Sequence, residues 1–230
     1  MASTFVFLDL ETTGLEADCK ITEMCLCAVS RAALLERPIT ARFPRVLDKL
    51  ILCFDPARDV NPRAAEMTGL SRQLLLRNNR GVFSHGVAEF LTSFLNMQAP
   101  PVCLVAHSGY RFDFRIIANH FRDVGVELPA EMGLLCVDTE QAFRALRPFP
   151  ATANFRLPTL YSEYVGGNAD NEHTAEGDCM NMLELVYCTA DEVVPHGRTE
   201  TLWVSPMITK RNSYFDNNDR QLICRNWTKH

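Results

Sequence analysis

The chain has 230 residues, 47% of them hydrophobic, and a formal net charge of -5. That apolar fraction excludes wholesale disorder, and the acidic balance excludes a protein that holds nucleic acid by bulk charge alone. The length fits one large domain or a domain with a tail.

Thr4 to Leu10 is rich in aromatic and branched residues and reads as a buried strand, ended by a turn at Gly14. Ile21 to Ser30 reads as a second strand and Arg45 to Phe54 as a third, so the chain opens on an antiparallel meander. Asn61-Pro62 starts a short helix, with a capping residue and then a proline in the first turn. Ser71 caps another. Val87, Phe90, Leu91, Phe94 and Leu95 recur at helical spacing within Ser84 to Met97.

Pro100-Pro101 breaks the chain before a fully apolar strand, Val102 to Val105, and Phe112 to Val124 is again helical. Leu134 to Asp138 is a fifth strand, followed by a helix to Leu146. Arg147 to Arg156 reads as a loop, Pro158 to Val165 as a short helix, and a last helix begins near His173. Residues 1–195 form the expected domain; 196–230 read as a short, partly ordered tail. A meander followed by alternating helices and strands gives an α/β fold, with a mixed central sheet and helices on both faces.

The 19 arginines against 4 lysines suit bidentate phosphate contact, although drift in base composition accounts for the bias equally well. The nine cysteines make no C-x-x-C pair, and Cys25, Cys27, Cys53, Cys103 and Cys136 lie in apolar runs. They read as small core hydrophobes in a reducing compartment. Asp9 interrupts the first apolar run, and no stretch reaches the length of a membrane helix. An intracellular protein, in cytoplasm or nucleus and without a membrane anchor, is expected.

Chemistry concentrates in three segments: Asp9-Leu10-Glu11-Thr12-Thr13-Gly14, Ala106-His107-Ser108-Gly109 with Asp113, and His173-Thr174-Ala175-Glu176-Gly177-Asp178. Asp9 and Glu11 are two apart on one strand and so share a face. Buried carboxylates need a partner, and a carboxylate set without thiolates suits Mg²⁺ or Mn²⁺. His173 supplies an imidazole, a side chain that can serve as a neutral base near pH 7. Taken singly, Asp113 reads as a helix N-terminal acid, His173 as a cap or surface residue and Asp178 as a solvated helix position. Their combination in this order reads as two-metal phosphodiester hydrolysis.

These motifs resemble the DEDDh branch of the DnaQ-like 3′-5′ exonucleases, with its RNase H-like fold, and within it the three-prime repair exonuclease family. Pro44-Arg45-Val46-Leu47-Asp48-Lys49-Leu50 and Met67-Thr68-Gly69-Leu70-Ser71 carry the narrower resemblance, which covers roughly residues 4 to 190.

The resemblance implies a metal-dependent exonuclease that removes nucleoside monophosphates from 3′ ends of single-stranded or frayed DNA, with two Mg²⁺ per site and Mn²⁺ as a substitute. It implies that Asp9, Glu11 and Asp178 hold one ion, that Asp9 bridges to a second supported by Asp113, and that His173 is the general base. Leu15 matches a wedge against the terminal bases. Thr12, Met67 and Phe112 match residues that grip the last nucleotide, and Arg111 a basic residue near the scissile phosphate. Glu11 also matches a residue that binds the terminal 3′ hydroxyl. The strand 46–54 is implied to join two subunits of a homodimer.

Ser108 stands where the family usually has asparagine, so a tuned site is expected. No counterpart is expected for the proline-rich insertion and the long membrane-anchoring extension of one family type. The basic DNA-gripping loop of the other type has only Arg147 and Arg156 as counterparts. An RNA exonuclease with the same site, a binding scaffold on an inactive nuclease fold and a polymerase proofreading subunit are the alternatives.

Overall fold

Six strands form one sheet among the described residues: β1 (Thr4–Thr12), β2 (Ile21–Ser30), β3 (Val46–Cys53), β4 (Val102–Ala106), β5 (Leu135–Asp138) and β6 (Ser205–Pro206). Their spatial order is β3-β2-β1-β4-β5-β6. The computed structural model describes residues 2–36, 41–128, 133–146, 154–190 and 205–206. The expected meander is present, because β1, β2 and β3 pair antiparallel. β4 then pairs parallel with β1, and β5 with β4, so the sheet is mixed as expected.

The period of two along β1 sorts its side chains between two cores. Phe5 and Phe7 join Cys25, Cys27 and Val105 on one face. Val6, Leu8 and Leu10 join Met24, Leu26 and Leu104 on the other. Full burial of a side chain such as Phe7 or Leu8 contributes about 1.5–3 kcal/mol, so both faces must be covered. Helices α7 (Leu157–Tyr164) and α8 (Ala175–Cys188) cover the Phe7 face. Helices α4 (His85–Asn96) and α5 (Asp113–Asp123) cover the Leu8 face. A one-residue slip of β1 would exchange these cores and carry Asp9 to the wrong side.

The odd-numbered series Phe5, Phe7 continues into Asp9 and Glu11. It turns from apolar to acidic where cover by the neighbouring strand ends, since β1 pairs with β4 only from Thr4 to Phe7. The carboxyl end of β1 therefore extends beyond its pairing with β4, at the carboxyl ends of the parallel strands, where open α/β sheets bind ligands.

Helices α2 (Pro62–Thr68) and α3 (Arg72–Arg77) start where expected. The caps Asn61 and Ser71 accept hydrogen bonds from Arg63 N and Leu74 N, at 2.9 and 3.2 Å. The sequence reading missed α1 (Arg31–Leu35), whose five residues are too few to show a periodicity. Helix α6 (Thr139–Leu146) follows β5 directly. Of the loop expected over 147–156, residues 147–153 lie outside the described residues, as does the tail apart from Ser205–Pro206, which pair with Leu135 and Cys136. No helix among the described residues is long and apolar enough to cross a membrane.

Candidate metal centre

Asp9 and Glu11 come from β1, Asp178 from the first turn of α8. One carboxylate oxygen of each lies within 4.8 Å of the others. Asp178 reaches them because it shares the sheet-facing stripe of α8 with Ala175 and Met182, three and four positions away, both fully buried. Asp113 opens α5 in the favoured acidic position of a first turn and is buried. It lies outside the three-carboxylate group but close enough to Asp9 and Glu11 to interact with both charges.

The electrostatics call for a cation. Burial raises the Asp9 carboxyl well above the usual range, and Asp113, Asp178 and Glu11 push it further. Burial, then Asp178 and Glu23, raises Glu11 to about 8. Asp113 rises to about 8 through burial, with Asp138 and Glu11 adding to it against hydrogen bonds that lower it. Asp178 is raised by burial, partly offset by the hydrogen bond from the His173 amide and by the imidazole itself. Packing like charges this way is unfavourable unless protons or a divalent cation neutralise them, and hard oxygen donors fit Mg²⁺ or Mn²⁺. The residues present thus fit such an ion.

A stability prediction follows from linkage. Without a bound cation, Glu11 and Asp113 keep protons in the folded protein up to about pH 8, whereas in the unfolded chain they lose them near their ordinary values of 4.5 and 3.8. The folded state then binds more protons, so stability falls as pH rises through that window, by at most about 1.4 kcal/mol per pH unit for each group. Thermal melts in chelator should decline from about pH 5 to about pH 8, and added Mg²⁺ should stabilise more strongly at the upper end. A flat profile with no Mg²⁺ effect contradicts this electrostatic picture.

Around the acids, backbone geometry explains the motif residues. Gly177 is required because a Cβ there would stand 2.1 Å from the Asn171 carbonyl oxygen. Its absence lets the segment before α8 lie against the helix. Thr174 caps α8 by accepting from Gly177 N at 3.0 Å, and Glu23 on β2 accepts from Ala175 N at 2.8 Å. His173 is left-handed at φ 65 and its ring is exposed. Its amide donates to Asp178 Oδ2 at 3.0 Å, which ties the imidazole-bearing residue to the acid cluster through the main chain.

The second motif has a supporting network that the sequence reading did not anticipate. Ser108 is left-handed at φ 58, a conformation that asparagine tolerates better than serine. Asp138 accepts from Ser108 N and Tyr110 N at 3.1 and 3.2 Å and so pins the turn that delivers Asp113. Glu140 accepts from the Ser108 hydroxyl, from Arg111 at 2.6 Å and from Arg144 at 2.8 Å. Burial raises the Glu140 carboxyl, yet those hydrogen bonds outweigh it and hold it near 2. His107 is structural: its ring nitrogens pair with Thr139 Oγ1 and the Phe155 carbonyl, both at 2.9 Å.

Leu15 is 88% exposed and Met67 47%. These large apolar side chains stand in solvent, and the bond from Asn61 N, at the cap of α2, to Thr13 O at 2.8 Å ties the turn that leads to Leu15 to the helix that carries Met67. Phe112 is half-buried at the cap of α5, and Arg111 keeps its outer face open while paired to Glu140. Thr12 is buried and its hydroxyl donates to the Gly14 carbonyl at 2.6 Å, so its proton serves the turn that presents Leu15. Of the two counterparts of a basic loop, Arg156 is exposed at the start of α7 and Arg147 lies outside the described residues.

No family model matches the chain. Its fold is that of Escherichia coli exonuclease I, with a TM-score of 0.66 and 20% identity over 83% of this chain and 41% of the other, in a structure solved with a dT13 oligonucleotide. Human three prime repair exonuclease 2 is 37% identical over 206 residues, which cover 84% of this chain and 86% of the relative. Human three-prime repair exonuclease 1 is 36% identical over 197 residues, covering 79% of this chain, and the chain spans only 62% of that relative's length. At this identity and coverage, and with the acid cluster in place, the chain belongs to the three-prime repair exonuclease family.

Proposed function

We propose that the protein is a metal-dependent 3′-5′ exonuclease acting on single-stranded or frayed DNA and releasing nucleoside 5′-monophosphates. The observation that carries this reading is the convergence of the Asp9, Glu11 and Asp178 oxygens within 4.8 Å, in a chain akin to three prime repair exonuclease 2. Asp9, Glu11 and Asp178 would hold one Mg²⁺, with Asp9 and Asp113 serving a second. Bound there, the ions supply Lewis acidity toward the phosphate and the leaving oxygen.

The rest is the work of the chain's own side chains. The exposed His173 imidazole takes the proton from the attacking water. Leu15 and Met67 offer apolar surface to the terminal bases, with Phe112 beside Asp113, and such contact is tolerant of sequence. Arg111, held in place by Glu140, presents its free edge to the phosphate backbone. Parallel assays on matched single-stranded DNA, duplex DNA and RNA test the reading. Single-stranded DNA should be degraded fastest from its 3′ end, EDTA should stop the reaction and Mg²⁺ restore it. Chelator-resistant hydrolysis, or faster turnover of RNA, contradicts it.

The same reading includes a homodimer. β3 is the outer strand of the sheet and exposes Leu47 and Ile51. An apolar edge of this kind invites pairing with a second copy. Light scattering should give twice the 26.0 kDa chain mass at micromolar concentration, and a monomer there contradicts the dimer.

A further inference from the structure

We infer that Asn181 and Arg42 are positioning residues for the reaction, which hold the segment 166–173 so that His173 stands over the acid cluster; this rests on the assignment of His173 as the base. The segment is costly to order. Gly166, Gly167, Asn171 and His173 all have positive φ, a run of left-handed residues that costs energy, most plainly at His173. Such a backbone persists only where its surroundings over-determine it.

Two anchors do so. Asn181, 2% exposed on α8, uses both ends of its amide on one residue: Asp170 N donates to Asn181 Oδ1 at 3.1 Å, and Asn181 Nδ2 donates to Asp170 O at 2.7 Å. The second anchor is ionic. The Asp170 carboxylate pairs with Arg42 at 2.6 Å, and Arg42 pairs with Glu184 at 2.8 Å. Glu184 is 4% exposed and also accepts from the Tyr161 hydroxyl at 2.7 Å. A buried carboxylate fixed in this way gives Arg42 one location, and Arg42 passes that location to Asp170. Asp170 lies three residues before His173, whose amide in turn meets Asp178. Asn181 also lies within hydrogen-bond reach of Asp178 itself, so its effect could pass through either residue.

A double-mutant cycle on a single-stranded oligodeoxynucleotide with Mg²⁺ separates those routes. Asn181→Ala should lower kcat by ~10–100-fold, as losses of supporting hydrogen bonds around a site do. KM should change by no more than about twofold, and in a His173→Ala background the added cost should shrink to about twofold as well. Asp170→Ala, at an exposed position, removes the ionic anchor and should slow kcat by about 3–10-fold without risk to folding. If Asn181→Ala fails to fold, the same cycle is run on Asp170→Ala. Parent-like kcat in the folded variants, or costs that multiply in full with His173→Ala, overturns the inference. A His173→Ala enzyme as fast as its parent overturns the base assignment instead, and the single variants register the two failures separately.

Discussion

Replacing Asp9 with asparagine is expected to lower kcat by at least ~10⁴-fold, about 5 kcal/mol of transition-state stabilisation. Asp9 interacts with all three of the other acids and is proposed to serve both ions, so its loss disturbs both proposed ion positions together. The same substitution should stabilise the protein in chelator at alkaline pH, where the acids have lost their protons, because the amide is isosteric and removes a charge that Asp113, Asp178 and Glu11 repel. The melting temperature should rise there by about 2–4 °C per kcal/mol of repulsion relieved. Addition of Mg²⁺ should then no longer raise it. Activity within tenfold of the parent, or an unchanged response to Mg²⁺, removes Asp9 from the metal centre.

Replacing His173 with alanine should lower kcat by ~10²–10⁴-fold. Here the fold and the acid cluster should be left intact, because the ring is exposed and the contact with Asp178 is made by the main chain. A backbone hydrogen bond survives a side-chain substitution. Stability should therefore change by no more than about 0.5 kcal/mol beyond any cost of the left-handed backbone. His173→Asn, which suits that backbone better, should be as slow as alanine. Calorimetric Mg²⁺ titration should give parent-like affinity for both. A fast His173→Asn variant would mean that another group takes the proton.

The sequence revealed the parts of this site that short-range patterns control. The alternation in β1 was enough to put Asp9 and Glu11 on one face, since a strand has only two faces to choose from. The caps Asn61 and Ser71 were legible because a cap and its target amide lie two or three residues apart. The supporting contacts were not legible, because they join residues far apart along the chain. Arg42 meets Glu184 across 142 positions, and Glu23 caps α8 across 152. No local periodicity records such a pair. Glu23 left one faint trace, an acid in an apolar strand that falls directly opposite Glu11 in the register. Like charges placed that way are unfavourable without a countercharge, and the pairing emerges only once β1 and β2 are aligned.

Ser108 shows the other limit. The sequence shows a serine in the second motif, but not what it does. In the fold, position 108 is left-handed, and the serine hydroxyl is held by Glu140. Glu140 in turn orders Arg111, so a substitution in the turn that leads to Asp113 is coupled to the residue proposed to meet the phosphate.

Anomalous diffraction from crystals soaked in Mn²⁺ tests the central claim most directly, because it locates the ions without relying on turnover. The account predicts one peak among the oxygens of Asp9, Glu11 and Asp178 and a second between Asp9 and Asp113. Manganese bound elsewhere, with the three carboxylates still clustered and bare at saturating ion, would contradict it.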